Sequence, residues 1–298
     1  MQAIRFVLQA KLSPPAPVPF IFEATEAAAS HNWSILCTSY NKEIRQAIEG
    51  NPKSPLSYGS EFRPTSIIEC LFRRYPLWDR LIKILEFGVD YPLTPIDPDI
   101  AKLDLIEALE KGNSKGAQEN PAVMEDLIKG DVEHGFSLVI PRDKVMEIVG
   151  AQVAPMNVAN QNSINERGEI VSKDRLTHNQ SWTGSASGQS INSRVIDDSL
   201  QDCMFGHCLL RICHQIVDIR IRHPNKSIFI QKVDWKSAYR RAHYNWKTAI
   251  QSITQAVSTP IAYIALRLTF GGKSCPNDWS VISESTTDLS NDILRCQD

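Results

Sequence analysis

An α+β fold is what this chain of 298 residues predicts, and three observations predict it. Capped amphipathic segments fill residues 76–130, short β-prone runs bounded by turn residues begin near residue 137, and strands and helices are mixed from there on. The length holds one large domain or two small ones, and a hydrophobic content of 42% is ordinary for a globular chain.

Residues 1–55 read as an irregular N-terminal arm. A proline-rich run from Ser13 to Phe20, an alanine-rich stretch and NPKSPLSYGS leave room for one short helix. Residues 56–135 read as a helical section. Pro76 suits the first turn of a helix with an apolar face of Leu77, Leu81, Ile84 and Leu85, ended by Gly88. Asp97 is placed to cap a second helix with Pro98 at its first position and Leu103, Ile106 and Leu109 inside, ended by Gly112. Asn120 and Pro121 start a third that runs to Gly130.

Residues 136–298 change character. Ser137–Pro141 and Gln152–Val158 read as strands, and Ile170–Thr177 returns as the second arm of a long-tipped hairpin. After a Ser/Gly/Asn-rich loop at 183–193, Asp197 or Asp198 is placed to cap a helix to about Arg222, with Leu200, Met204, Leu209, Ile212 and Ile216 as its core face. SIFIQKVDW (227–235) reads as a buried strand with a helix from Ser237, strands are expected near Ile250 and at Ile261–Leu268, and a helix at Pro276–Leu294.

The formal net charge of −2 excludes the strongly basic balance of an obvious nucleic-acid protein, so such a function needs a local patch. One exists: Phe205 to Lys247 holds nine Lys/Arg against two acidic residues, interleaved with Trp235, Tyr239, Tyr244 and Trp246. A solvated helix face with a few buried aromatics fits the same pattern. No window approaches the ~18 consecutive apolar residues of a membrane span. The first residues do not read as a secretory signal, because Lys11 and the prolines interrupt their apolar run. Seven irregularly spaced cysteines then suit reduced thiols, in the cytoplasm or nucleus.

Three segments carry chemistry. In QKVDWKSAYRR (231–241), a hydrophobic strand delivers Asp234 at its end, although an Asp there is more often a turn former or helix cap. In RLTFGGKSCPNDW (267–279), Gly271 and Gly272 allow a sharp, closely approached turn, with or without a ligand. In KDRLTHNQSW (173–182), Lys173 and Arg175 share one strand face, which also describes a solvated edge. Zinc could draw on Cys203, His207, Cys208, Cys213 and His214. Only Cys203 and His207 are one helical turn apart, however, and buried thiols are the preferred reading.

Taken in order, the three segments resemble reverse transcriptases, RNA-directed DNA polymerases of retrotransposon type. There a basic fingers hairpin precedes a hydrophobic-Asp-x-x-x-Ala-Tyr/Phe strand, here Asp234 to Tyr239. A Leu-Pro-Phe/Gln-Gly-x-x-x-x-Pro loop follows, here Leu268 to Pro276 with Thr269 in place of proline. YGSEFRP (58–64) and GNSKGA (112–117) also read like retroelement wording. The resemblance implies right-hand polymerase fingers and an incomplete palm behind a helical N-terminal part. It also implies RNA template, DNA primer and dNTP as partners, and Mg²⁺ as cofactor. Asp234 would be the catalytic carboxylate and a metal ligand, with the Trp235 carbonyl beside it. Arg175 and Lys173 would contact the triphosphate, Tyr239 would pack under the sugar and exclude a 2′-hydroxyl, and Phe270 and Gly271 would line the nucleotide. Lys236, Arg240 and Arg241 would face nucleic acid.

The sequence departs from the family in lacking a hydrophobic-x-Asp-Asp hairpin after Pro276, and the pair Asp197–Asp198 lies upstream of Asp234. No thumb, connection or RNase H pattern is read. With one carboxylate where three are needed, the chain alone is expected not to polymerise. It would be a truncated copy, a non-catalytic nucleic-acid-binding or protein-interacting remnant, or a decayed element. An open sheet edge where the hairpin belongs would then invite a second chain to complete the palm.

Overall fold

The computed structural model describes residues 2–11, 14, 16–165, 167–200, 202–203, 208–230 and 235–295. It is α+β. Helices α1 (Gln2–Gln9), α2 (Glu26–Tyr40), α3 (Ile44–Glu49), α4 (Thr65–Phe72), α5 (Trp78–Phe87), α6 (Pro98–Lys111), α7 (Lys115–Glu119) and α8 (Pro121–Glu133) precede the strands. Strand β1 (Ser137–Pro141) is followed by the hairpin β2 (Met156–Ile164) and β3 (Ile170–His178). Then come α9 (Cys208–Arg222), α10 (Trp246–Ile250), β4 (Ile253–Gln255), β5 (Ile261–Ala265) and α11 (Cys275–Arg295). An antiparallel sheet of order β1-β5-β4 stands beside the two-stranded β2-β3 hairpin. Ser137 opposes Ala265, and Met156 opposes His178. All five residues of β5 are buried, as a strand covered on both faces requires. Among the described residues no helix is long and apolar enough to cross a membrane.

Several elements stand as the sequence predicts them. The Asp97 carboxylate accepts from the Asp99 and Ile100 amides at 3.0 and 3.3 Å, and Pro98 opens α6. β1 keeps its predicted bounds, and α11 fills the predicted C-terminal helix.

The arm is a correction: three helices occupy the region read as irregular. Thr25 caps α2 by accepting from the Ala28 amide at 3.1 Å, and Asn41 ends it in the left-handed region. Ala28 and Ala29 are buried because α2 lies close over β1, where only small side chains fit. Asn32 secures that contact by donating to the Val139 and Ile21 carbonyls at 3.1 and 2.9 Å. This also covers the outer side of β1. On the other side of the sheet the Ala154 amide donates to the Ile253 carbonyl at 2.8 Å beside β4. Both outer strands of this sheet thus make at least one hydrogen bond outside it.

The face of α6 is also corrected. Leu103 and Ile106 are exposed, whereas Asp104, Leu105 and Ala108 are buried. Asp104 is drawn inward because its carboxylate accepts from the Ala186 and Ser187 amides at 3.0 and 3.2 Å. Asp197 caps no long helix: Asp197–Ser199 is one 3₁₀ turn, and α9 starts only at Cys208. Leu209 and Ile212, expected in the core, are exposed. Residues 227–230 form no strand, and Phe229 is 90% exposed. The helix expected from Ser237 is one 3₁₀ turn, Ala238–Arg241. The strand expected near Ile250 is preceded by α10, because Asn245 accepts from the Lys247 amide and starts a helix. Of the cysteines read as buried, Cys213 is exposed and Cys203 half-buried.

The two retroelement-like segments are architectural. Glu61 pairs with Arg241 at 2.7 Å and with the fully buried Arg267 at 3.5 Å. Asn113 donates to the Gln255 carbonyl at 2.7 Å and accepts from the Met156 amide at 2.8 Å, tying the α6–α7 turn to both sheets.

Candidate nucleotide and nucleic-acid site

The site is built on the loop after β5. Phe270 accepts from the His178 amide at 2.7 Å, so the loop is laced to the end of β3. Gly271 has φ +119°, and a Cβ there would lie 1.9 Å from the His178 carbonyl oxygen. A Cβ on Gly272 would lie 2.0 Å from the Tyr91 hydroxyl. Both glycines are therefore required by close approach. Asn192 clamps the turn: it donates to the Gly271 carbonyl at 2.8 Å and accepts from the Lys273 amide at 2.8 Å. The Lys273 ammonium is ion-paired with Asp197.

Beneath the loop is a buried polar network. The Tyr91 hydroxyl lies 2.9 Å from both the Tyr244 hydroxyl and the Cys275 sulfur, and Tyr244 lies 3.0 Å from the Thr269 hydroxyl. Thr269 stands where the resembled loop carries proline. Its amide donates to the Tyr244 hydroxyl at 3.1 Å, a bond that a proline has no N–H to make. Burial pushes the Tyr91, Tyr244 and Cys275 acidities to higher pKa, so all three stay protonated at neutral pH.

Five predicted nucleotide-binding residues converge above this network. The Arg175 guanidinium stands 5.8 Å over the Phe270 ring, and its Nε is buried with no hydrogen-bond partner. Tyr239 packs on Phe270 at 5.0 Å and on Trp279 at 6.3 Å, and Trp235 packs edge-on to Trp279 at 5.7 Å. Gly271 follows Phe270 in the same turn. Burial raises the Tyr239 phenol above its ordinary pKa, which keeps it a neutral hydrogen-bonding group. Lys173 is exposed on β3, opposite Gln161 and nearer the hairpin tip than Arg175.

The expected nucleic-acid face is divided. Lys236 is exposed. Arg240 is buried, paired with Asp131 at 2.6 Å and donating to the Leu268 carbonyl at 2.5 Å. Arg241 is half-buried against Glu61. These two arginines hold the segment 235–241 onto α8, the turn before α4 and the loop. Asp234 lies outside the described residues. Among the described residues no group of three His, Cys, Asp or Glu side chains is placed to hold a metal ion.

Residues that sequence reasoning missed are Trp279, Phe62, Asn192 and His178. Trp279 could have been found, since it sits in the first turns of the predicted C-terminal helix. Asn192 carries no signal in a loop rich in polar residues. Comparisons with protein-family models, with curated proteins and with solved structures found no match to this chain.

Proposed function

We propose that this chain is the fingers and part of the palm of a retroelement RNA-directed DNA polymerase, and that Arg175, Tyr239, Phe270 and Gly271 receive the incoming deoxynucleoside triphosphate. The observation that carries the reading is the meeting of Arg175 from the hairpin with Phe270 and Tyr239 from two distant segments. A cation offers charge-assisted bonds to phosphate, and a half-buried aromatic floor offers a surface for a sugar or base. Tyr239 would crowd a 2′-hydroxyl. Asp234 is the one carboxylate that the resemblance assigns to Mg²⁺. The described residues do not provide the converging carboxylates that two such ions need, so the proposal is one of nucleotide and nucleic-acid binding rather than of a worked catalytic step. A non-catalytic binding remnant using Arg240 and Arg241 is the weaker reading, because both guanidinium groups are committed to carboxylates within the fold.

Trp235 and Trp279 sit at the site, so intrinsic fluorescence reports on it. Titration of the full chain with a deoxynucleoside triphosphate is expected to quench saturably. Arg175→Met keeps the stem over Phe270 and removes the charge. It is expected to weaken binding by about tenfold or more, the low end for a charged hydrogen bond of ~1.5–3 kcal/mol. Equal affinity in wild type and variant would refute the assignment.

A further inference from the structure

We infer that the cleft between the C-terminal end of α6 and the β4–β5 turn binds a small zwitterion, an α-amino acid with an aliphatic side chain. The cleft shares no wall residue with the loop after β5, so the inference goes beyond the function proposed above and does not rest on it. It holds about 470 Å³, within the ~300–1,000 Å³ usual for small-molecule sites.

Two side chains in its wall point to a ligand. Gln255 is fully buried, and its side-chain amide donates to the Ala108 and Leu109 carbonyls at 3.0 and 3.4 Å, which caps the end of α6. Its Oε1 is left buried with no hydrogen-bond partner among the described residues, and a buried acceptor in that state is destabilising until a donor meets it. Arg142 follows β1 and is half-buried, with its amide donating to the Pro260 carbonyl at 2.8 Å. Among the described residues its guanidinium has neither an ion pair nor a hydrogen bond.

The wall carries both signs of charge. At the end of α6 the helix dipole and the exposed Glu110 carboxylate favour a positive group. Lys111 does not supply it, because its ammonium lies over the Trp182 ring at 5.7 Å. Arg142 favours a negative group, and its planar fork suits a carboxylate. A simple anion would meet Arg142 but also the acidic end of α6, and a simple cation would leave Arg142 unpaired. A zwitterion satisfies both, with its ammonium donating to Gln255 Oε1 and its carboxylate on Arg142. Leu109, Ala256 and Val257 give an aliphatic side chain an apolar wall. Gly112 leaves room beside them, since a Cβ there would meet only the Gln118 side-chain nitrogen, at 3.9 Å.

Isothermal titration of the full chain with L-leucine tests the site, with leucinamide and isocaproate as probes that lack the carboxylate and the ammonium. L-leucine is expected to bind saturably at millimolar concentration. Each singly charged probe is expected to bind about tenfold more weakly or worse, as loss of a hydrogen bond to a charged group implies. Arg142→Met keeps the aliphatic stem, removes the guanidinium, and is expected to weaken L-leucine by the same factor. Glu110→Gln alters an exposed residue. It is expected to weaken L-leucine about twofold and to strengthen isocaproate about twofold, opposite shifts that a change in folding would not produce. Lys129→Gln, on α8 outside the wall, is expected to change neither. Absence of heat with L-leucine, or equal affinity for the three probes, would overturn the inference. Unchanged L-leucine affinity in Arg142→Met, with folding confirmed by thermal melting, would do the same. Should that variant not fold, the opposite shifts in Glu110→Gln decide, and their absence sinks the site.

Discussion

Acid should loosen the loop that carries the site, and His178 sets the scale. Its imidazole is 1% exposed, and neither ring nitrogen has a partner. Burial first, and the Arg240 charge second, hold its pKa down to about 3 from an ordinary 6.5. The fold thus accepts the neutral ring and resists the proton, while the unfolded chain takes the proton near 6.5. The stabilisation is fully present above about pH 6.5 and is lost as the pH falls from there toward 3. One pKa unit corresponds to ~1.36 kcal/mol, so going from pH 7 to pH 5 should remove about 2 kcal/mol through this residue alone. The Phe270 carbonyl accepts from the His178 amide, so the loss should fall on the loop after β5. Urea denaturation at the two pH values, for wild type and His178→Met, checks the reasoning. The wild type should lose about 2 kcal/mol more than the variant between pH 7 and 5. Carboxylates and the similarly buried His243 act in both proteins and cancel in the difference. Equal losses would show that His178 does not titrate as its burial demands.

Two further perturbations probe the loop and its buttress. Gly271→Ala should destabilise by about 2–4 kcal/mol, from backbone strain of ~1–3 kcal/mol and a displaced bond to His178 of ~1 kcal/mol. It should also abolish triphosphate quenching, and a variant within ~0.5 kcal/mol of wild type by denaturation would contradict the close approach at His178. Glu61→Gln should cost about 3 kcal/mol or more, because it leaves the fully buried Arg267 guanidinium without its counter-charge. Burial already presses the Arg267 pKa down to about 9, and a loss below ~1 kcal/mol in urea denaturation would show the pair to be dispensable.

How much of this was legible follows from where each element takes its stability. β1 and the returning strand β3 were readable because β-branched runs between turn residues have few competing uses. The strand expected at Gln152–Val158 lies instead at Met156–Ile164, where the polar run MNVANQNSI gives little strand signal and the expected long tip is itself paired. α6 was readable at its start, because a cap is local chemistry, but not in its rotation: Asp104 goes inside to meet two amides some eighty residues away. α2 was missed because alanines give almost no amphipathic signal, and they are required only by the closeness of β1. Leu209, Ile212, Phe229 and Ile230 were placed in a core on hydrophobicity alone, yet all four are exposed. Arg175, Tyr239 and Phe270 were singled out through an ordered pattern of segments. Their meeting depends on long-range packing, which no local spacing encodes.

The same distinction separates recognition from architecture within the motifs. Arg240 and Arg241 look like nucleic-acid contacts in sequence, but their guanidinium groups are paired with Asp131 and Glu61 inside the fold and serve its assembly. YGSEFRP likewise spends Glu61 on two arginines. The surface that the proposed reading leaves to a ligand is mostly not basic: it is the row of rings from Phe62 to Phe270, with Arg175 at one end. Aromatic floors bind by area and tolerate sequence variation, whereas lone cations bind by charge and are screened by salt. Under the proposed reading, a slightly acidic chain holds nucleic acid on these terms. Its affinity should then decline less steeply with salt than that of a basic binder with the same number of bound nucleotides.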